Sequence, residues 1–183
     1  MSDEFLVHNC APTLAGIKTG SLFTCPCAGR EEFLDRVRDT NKRLRHKGLR
    51  LLPLRFSENK ALIYLYRPGK LSDDLSKPPA ACLLRRCGYA PGSSQQHLCC
   101  LARKLRERGE FPHEIGLFLG YPAEDVQGFM ENRACNCKIC GCWKVYGDED
   151  AARKKFAQYE KCARLYREQW EKGRDIQRLA VSG

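Results

Sequence analysis

No run of apolar residues in the 183 positions approaches the roughly 18 to 20 that cross a bilayer; the longest, residues 61–66 (ALIYLY) and 115–119 (IGLFL), stop far short. A membrane is therefore not an expected partner. The opening stretch MSDEFLVHN carries two acids where a secretory leader carries bases, and no small-residue cleavage site follows an apolar segment. A cytoplasmic protein is expected. Internal repeats and low-complexity tracts are also missing, which excludes solenoids and disordered arrays. No linker is long enough to force independent folding units, so residues 1–183 are expected to form one globular domain, β-containing over about 1–70 and helical over about 71–183. Finally, no complete catalytic spacing is present. The chain can be given a fold class and candidate residues, and whether it is an enzyme stays open.

What is there begins with sulfur. Twelve cysteines in a chain that is 43% hydrophobic do not serve as staples, because a chain of this size buries enough apolar surface without them. In a reducing compartment they are free thiols, metal ligands or catalytic groups, and many simply replace small hydrophobes in a core. Positive charge is the second excess: the net charge is +10. Between residues 36 and 50 stand Arg36, Arg38, Lys42, Arg43, Arg45, Lys47 and Arg50 against one acid, Asp39, and Arg103, Lys104, Arg106 and Arg108 form a second bunch. Such a field draws polyanions. Aromatic residues are not interleaved with either run, as they are in single-strand binders, so nucleic acid ranks below an acidic protein or a redox partner.

The pattern along the chain reads as α+β: a small mixed or antiparallel sheet with a β-hairpin packed by several helices, and a helix-rich C-terminal half. Residues 5–23 fit a short helix or strand, then a turn and a strand near 21–24. Acids at Glu31 and Glu32 open a helix carrying Phe33, Leu34, Val37 and Leu44 and ending at Gly48. Residues 49–56 and 61–67 alternate and are joined at 57–60 as a hairpin, with Pro53 marking an edge or a bulge. Ser72 is expected to cap a helix that resumes beyond Pro79, and Ser93 to cap one with Leu98, Leu101, Ala102 and Leu105 at helical spacing, closing at Gly109. A short helix is expected from 111–114 to Gly120, and another after Pro122 with Val126, Phe129 and Met130. A strand at 142–146 precedes the longest helix, whose seam is Ala152, Phe156, Tyr159, Ala163, Tyr166 and Trp170.

Three ordered blocks, HNCAPTLAGIKTGSLF, FPHEIGLFLGYPAEDVQGFMEN and GCWKVYGDEDAARKKFAQYEKC, cover much of the chain. Together they resemble the signature blocks of an uncharacterised bacterial domain-of-unknown-function family, number 3793, of anaerobes. The resemblance implies a cytoplasmic protein with no assigned activity; the placement of some members near iron-uptake and flavodoxin genes points to iron or redox metabolism. In the family pattern the steady part is G-x-W-K-V-Y, matched by Gly141, Trp143, Lys144, Val145 and Tyr146, while positions corresponding to Cys135, Cys140 and Cys142 need not be cysteine. A metal held by all four thiols would then be peculiar to this chain.

Three candidate sites follow. CNCKICGC at 135–142 places Cys135, Cys137, Cys140 and Cys142 within eight positions, and Cys137 with Cys140 and Gly141 has the C-x-x-C-G form of a zinc knuckle. Zinc or an iron-sulfur species suits such ligands; the alternative is a turn filled with thiols. Further ligands could come from Cys25 and Cys27, Cys82 and Cys87, or Cys99 and Cys100. The second candidate is a thiol nucleophile, Cys10, with Lys18 or Lys144 as electrostatic stabiliser and His113 as base, against the plainer reading of a core thiol and a helix-start histidine. Third, Glu114, Trp143, Lys144 and Tyr146 could line a cleft, Trp143 and Val145 facing one way along their strand and Lys144 and Tyr146 the other. Two classes of function are expected. One is a cytosolic binding or accessory protein, tied to metal or redox metabolism through thiolates and a basic surface. The other is a thiol-dependent enzyme using Cys10 with His113.

Overall fold

The computed structural model of the chain describes residues 2–107 and 111–182. They form two compact units, one built from residues up to Gly69 together with those from Tyr159 onward, the other from Lys70–Gln158. The fold class is α+β, with small antiparallel sheets and a helix-rich C-terminal half.

In the first unit, helix α1 (Asp3–Leu14) starts where Ser2 Oγ accepts the Phe5 amide, with Asp3 and Glu4 facing the positive end of the helix dipole. Pro12 stands inside its last turn, and the chain leaves the helix by donating the Ile17 and Lys18 amides to the Pro12 carbonyl. Strand β1 (Gly20–Pro26) follows, then helix α2 (Arg30–Leu44), a turn of 3-10 helix at Arg45–Lys47, and strands β2 (Arg50–Ser57) and β3 (Lys60–Tyr66). The sheet order is β1-β3-β2 with both pairings antiparallel, so β1 and β2 run parallel on either side of β3 and α2 is their crossover. The hairpin, the edge position of β2 and a bulge between Pro53 and Arg55 agree with the sequence pattern. The hairpin turn is shorter than expected, leaving only Glu58 and Asn59 between the strands. Asn41 on α2 reaches the edge strand, its amide donating to the Leu51 carbonyl at 2.9 Å while its oxygen accepts the Leu51 N–H at 2.8 Å.

The core of this unit packs Leu6, Leu14, Phe33, Leu44, Ile63 and Leu65, and Tyr166 and Trp170 lie against it from the second half of helix α8 (Glu149–Glu171). Arg67 pins its parts together. Its guanidinium, with the residue only 3% exposed, donates to the carbonyls of Thr13, Leu14, Lys47 and Val181 at 2.7 to 3.1 Å. The end of α1, the 3-10 turn and the C-terminal segment after the short helix at Ile176–Leu179 thus converge on one planar donor. That last helix carries no periodic signal long enough to be expected.

The second unit takes in α3 (Pro68–Ser76, from Lys70), α4 (Pro78–Arg86), α5 (Ser94–Arg106), α6 (Ile115–Phe118), α7 (Ala123–Glu131), a two-stranded ladder of β4 (Ile139–Cys140) with β5 (Lys144–Val145), and α8 as far as Gln158. Helix α3 starts earlier than Ser72, because Pro68 already has the backbone angle of a first helical residue. Ser93 caps α5 in a capping box with Gln96, as its spacing suggests, whereas the expected stop at Gly109 and the basic Arg108 lie outside the described residues. The strand expected at 142–146 shrinks to two residues, and its partner β4 lies inside the cysteine run.

Two measurements test the first unit. Arg67→Met should lower the unfolding free energy in urea by about 3 kcal/mol, since four carbonyls lose a charged donor, and Arg67→Lys should recover less than half of it because one ammonium cannot reach all four. Burial pushes the Cys162 thiol up to about 11 from 9.0, and burial with the neighbouring Cys162 charge pushes the Tyr166 phenol up to about 12 from 10.0. Both groups keep protons in the fold that the unfolded chain has released, so stability falls as pH rises from about 9 towards 12. Thermal melts across that range should show the decline, and Cys162→Ala should flatten its lower part.

Candidate functional site

One acid organises the site in the second unit. Asp125 stands in the first turn of α7, where an acid suits the helix dipole, yet it is only 2% exposed because it lies on the same helix face as Phe129 four residues on. A buried carboxylate demands donors. Asp125 has three: Oδ1 accepts the amides of Tyr146 at 2.7 Å and Gly147 at 2.8 Å, and Oδ2 accepts the Trp143 indole N–H at 2.7 Å. Residues 143–147 are thereby bound to α7. Gly128, one turn along, accepts the close approach of the Tyr146 ring, and Gly141 that of the Phe156 ring; a Cβ at either would collide.

Fixed in this way, Trp143 stacks on Tyr121 with ring centres 4.9 Å apart and meets Phe156 edge-on at 4.6 Å. It forms one wall of a cavity of about 330 Å³. The remaining wall is mostly apolar, from Ile115, Leu119, Val126 and Phe129, with Phe111, His113 and Lys144 bringing an aromatic edge and polar groups and Cys140 and Cys142 bringing thiols. His113 lies 5.0 Å from the Phe129 ring centre. Asp125 also borders the cavity, and both its oxygens accept hydrogen bonds from residues 143–147.

The expected alternation along residues 143–146 does not hold. Trp143 precedes the two-residue ladder and is turned by its bond to Asp125, so Trp143 and Lys144 both line the cavity while Val145 is fully buried. Lys144 Nζ donates to the Ala134 carbonyl at 2.6 Å and Tyr146 Oη to the Cys135 carbonyl at 2.9 Å. Glu114 does not line the cavity. It is 4% exposed and receives Lys104 Nζ at 2.8 Å and Tyr89 Oη at 3.1 Å, a half-buried ion pair. Burial, followed by the Glu114 charge and hydrogen bond, pushes the Tyr89 phenol well above its ordinary range.

Cys10 and His113 belong to different units. Within its own, Cys10 is completely buried on α1, and burial pushes its thiol far up, against weaker opposing effects from the Lys18 charge and a Ser21 hydrogen bond. A thiol held neutral and out of solvent lacks what a nucleophile needs. Lys18 Nζ sits 5.9 Å from the centre of the Tyr159 ring. His113 is exposed.

The four clustered cysteines lie along the hairpin, Cys135, Cys140 and Cys142 exposed and Cys137 half-buried. Among the described residues no three His, Cys, Asp or Glu side chains stand close enough to hold a metal ion as placed. The basic run on α2 is less bare than its sequence window suggests: Arg36 pairs with Glu32, Arg38 with Asp35, Lys42 with Asp39 and Arg43 with Asp3, three of those acids lying before residue 36.

Sequence reasoning missed Asp125 as the organising group, together with Tyr121, Ile115 and Leu119 as cavity wall. The available signal was the acid four residues before Phe129, on what should be an apolar stripe. Replacing Asp125 by Ala should destabilise the second unit by about 3 kcal/mol, because three donors lose their acceptor. It should also shift Trp143 fluorescence to the red in a Trp170→Phe background, in which Trp143 is the sole tryptophan of the two in the chain.

Among the described residues no helix is long and apolar enough to cross a membrane. Neither a curated protein nor a solved structure matches the chain. A family model does, over residues 6–180, and it spans all three sequence blocks that build the first unit's core and this cavity. The chain belongs to that family, DUF3793, described as a protein of unknown function.

Proposed function

We propose that the protein is a cytosolic binding or accessory protein whose ligand is a small, largely apolar molecule held in the Trp143 cavity of the second unit. One observation carries this reading: a cavity of about 330 Å³ has aromatic and aliphatic walls, and its one buried carboxylate already accepts hydrogen bonds from Trp143, Tyr146 and Gly147. Its size falls in the range of small-molecule sites, roughly 300 to 1,000 Å³. Rigid aromatic walls also suit binding, since they lose little conformational freedom when a ligand arrives. Lys144 and His113 supply the polar edge that would orient a ligand. The thiols of Cys140 and Cys142 at the same cavity connect the reading to metal or redox metabolism.

A thiol enzyme based on Cys10 with His113 is the weaker reading, given the burial of Cys10 and its raised pKa. Nucleic acid is weaker too: the acids paired along α2 reduce the field that would draw a phosphate backbone.

The test is titration with anilinonaphthalene sulfonate, a flat apolar probe, read by energy transfer from Trp143 in the Trp170→Phe background. One saturable site per chain is expected, with affinity about tenfold weaker, or ~1.4 kcal/mol, in Phe129→Ala at unchanged circular dichroism. Binding that ignores Phe129→Ala, or that never saturates, would remove the cavity as the site.

A further inference from the structure

Two thiols open onto the Trp143 cavity, and simple holding of an apolar ligand gives them nothing to do. Cys140 and Cys142 both border it, and both are exposed free cysteines. Cys135, equally exposed on the same hairpin, does not border it. The fold makes this difference.

Cys140 sits in β4 directly opposite Lys144 of β5, and residues so paired project to the same face of an antiparallel ladder. Both border the cavity. The ladder is fixed from two sides: the Lys138 amide donates to the Val145 carbonyl at 2.8 Å and the Gly141 amide to the Trp143 carbonyl at 3.1 Å, while Asp125 binds residues 143–147 to α7. Cys140 is thus held at a wall that includes Trp143 and Phe129, across the ladder from a lysine. Lys144 Nζ gives one proton to the Ala134 carbonyl at 2.6 Å, and an ammonium carries three. A neighbouring cation favours the thiolate, the nucleophilic form. Cys142 stands in the turn between the two strands, outside the ladder.

We propose that the ligand of the cavity is a flat, aromatic α,β-unsaturated carbonyl compound and that Cys140 captures it covalently, a step that rests on the cavity being a binding site. The aromatic and aliphatic walls take the ring, and the conjugated carbonyl lies toward the polar edge. Sulfur adds to the β-carbon: a carbon–sulfur bond forms, the carbon–carbon π bond breaks, and its electron pair moves to the carbonyl oxygen as an enolate. The proton released by the thiol returns to the α-carbon. No oxidant, reductant or leaving group is needed. Holding the ligand beside the thiol turns an encounter in solution into a step within one complex, which is the source of the rate advantage. The product is a thioether, so the protein acts as a sink for such electrophiles.

The probes are N-phenylmaleimide and N-methylmaleimide, conjugated carbonyl reagents that differ only in the nitrogen substituent, added to reduced full-length protein. Modification of each cysteine is timed by quenching, digestion and tandem mass spectrometry. Cys135, exposed but outside the cavity, is the internal reference that cancels the intrinsic reactivity of the two reagents. The preference for the phenyl reagent should be about tenfold greater at Cys140 than at Cys135, and Phe129→Ala should bring it down toward the Cys135 value. The comparison within the wild type stands even if that variant fails to fold. Equal preferences at Cys140 and Cys135, or a phenyl preference that falls on Cys142 instead, would overturn the capture. If anilinonaphthalene sulfonate still fills one saturable, Phe129-dependent site, the cavity reading survives that failure; if it finds none, both fall together.

Discussion

The second unit depends on a carboxylate that has no cation beside it among its hydrogen-bond partners. Asp125 is satisfied by two backbone amides and an indole, all contributed by residues 143–147. Burying it without them would cost several kcal/mol, so the turn after β5 and the first turn of α7 form together or not at all. Trp143 is oriented as a by-product, and with it the wall of the cavity. The chain therefore builds the cavity wall through a polar contact between α7 and residues 143–147. Gly128 and Gly141 complete the arrangement, because the Tyr146 and Phe156 rings occupy the space their side chains would fill.

Arg67 solves the reciprocal problem in the first unit. There a buried cation is met by four carbonyls and, among its hydrogen-bond partners, no carboxylate. The carbonyls it takes lie near the ends of elements, and two of them, Thr13 and Leu14, also accept the Gly16 and Val181 amides. Neutral dipoles fixed by the backbone lose little freedom on binding an ion, whereas a side-chain partner must itself be desolvated and ordered. Glu114 and Lys104 follow the costlier route, a half-buried pair of opposite charges, and they also bond Tyr89 and the Cys87 carbonyl. Of the three, Asp125 and Arg67 tie together segments remote in sequence, which suits them to fix the shape of each unit.

Much of this fold was legible in the sequence because its elements are long or punctuated. The hairpin alternates over enough residues to show a period of two, Pro53 announces the bulge it causes, and Ser93 with Gln96 spells a cap. Elements failed to show where they are short. A two-residue strand such as β4 has no period, and its cysteines invite a metal reading before a structural one. Helix α3 was placed four residues late because Ser72 resembles a cap while Pro68, the true start, resembles a breaker. The site was less legible still. Cys10, singled out from its neighbours, is a core thiol, and Asp125, passed over as one acid of a helix start, is the organising group. Composition around a residue does not reveal whether its side chain turns inward; that depends on which stripe of its helix meets the core.

The same distinction governs the cysteines. Spacing treats 135, 137, 140 and 142 as one set, since all lie within reach of a single ion along an extended chain. Once residues 143–147 are bound to Asp125, the hairpin acquires two sides. Tyr146 lies on one, its hydroxyl donating to the Cys135 carbonyl; the cavity occupies the other and is bordered by Cys140 and Cys142.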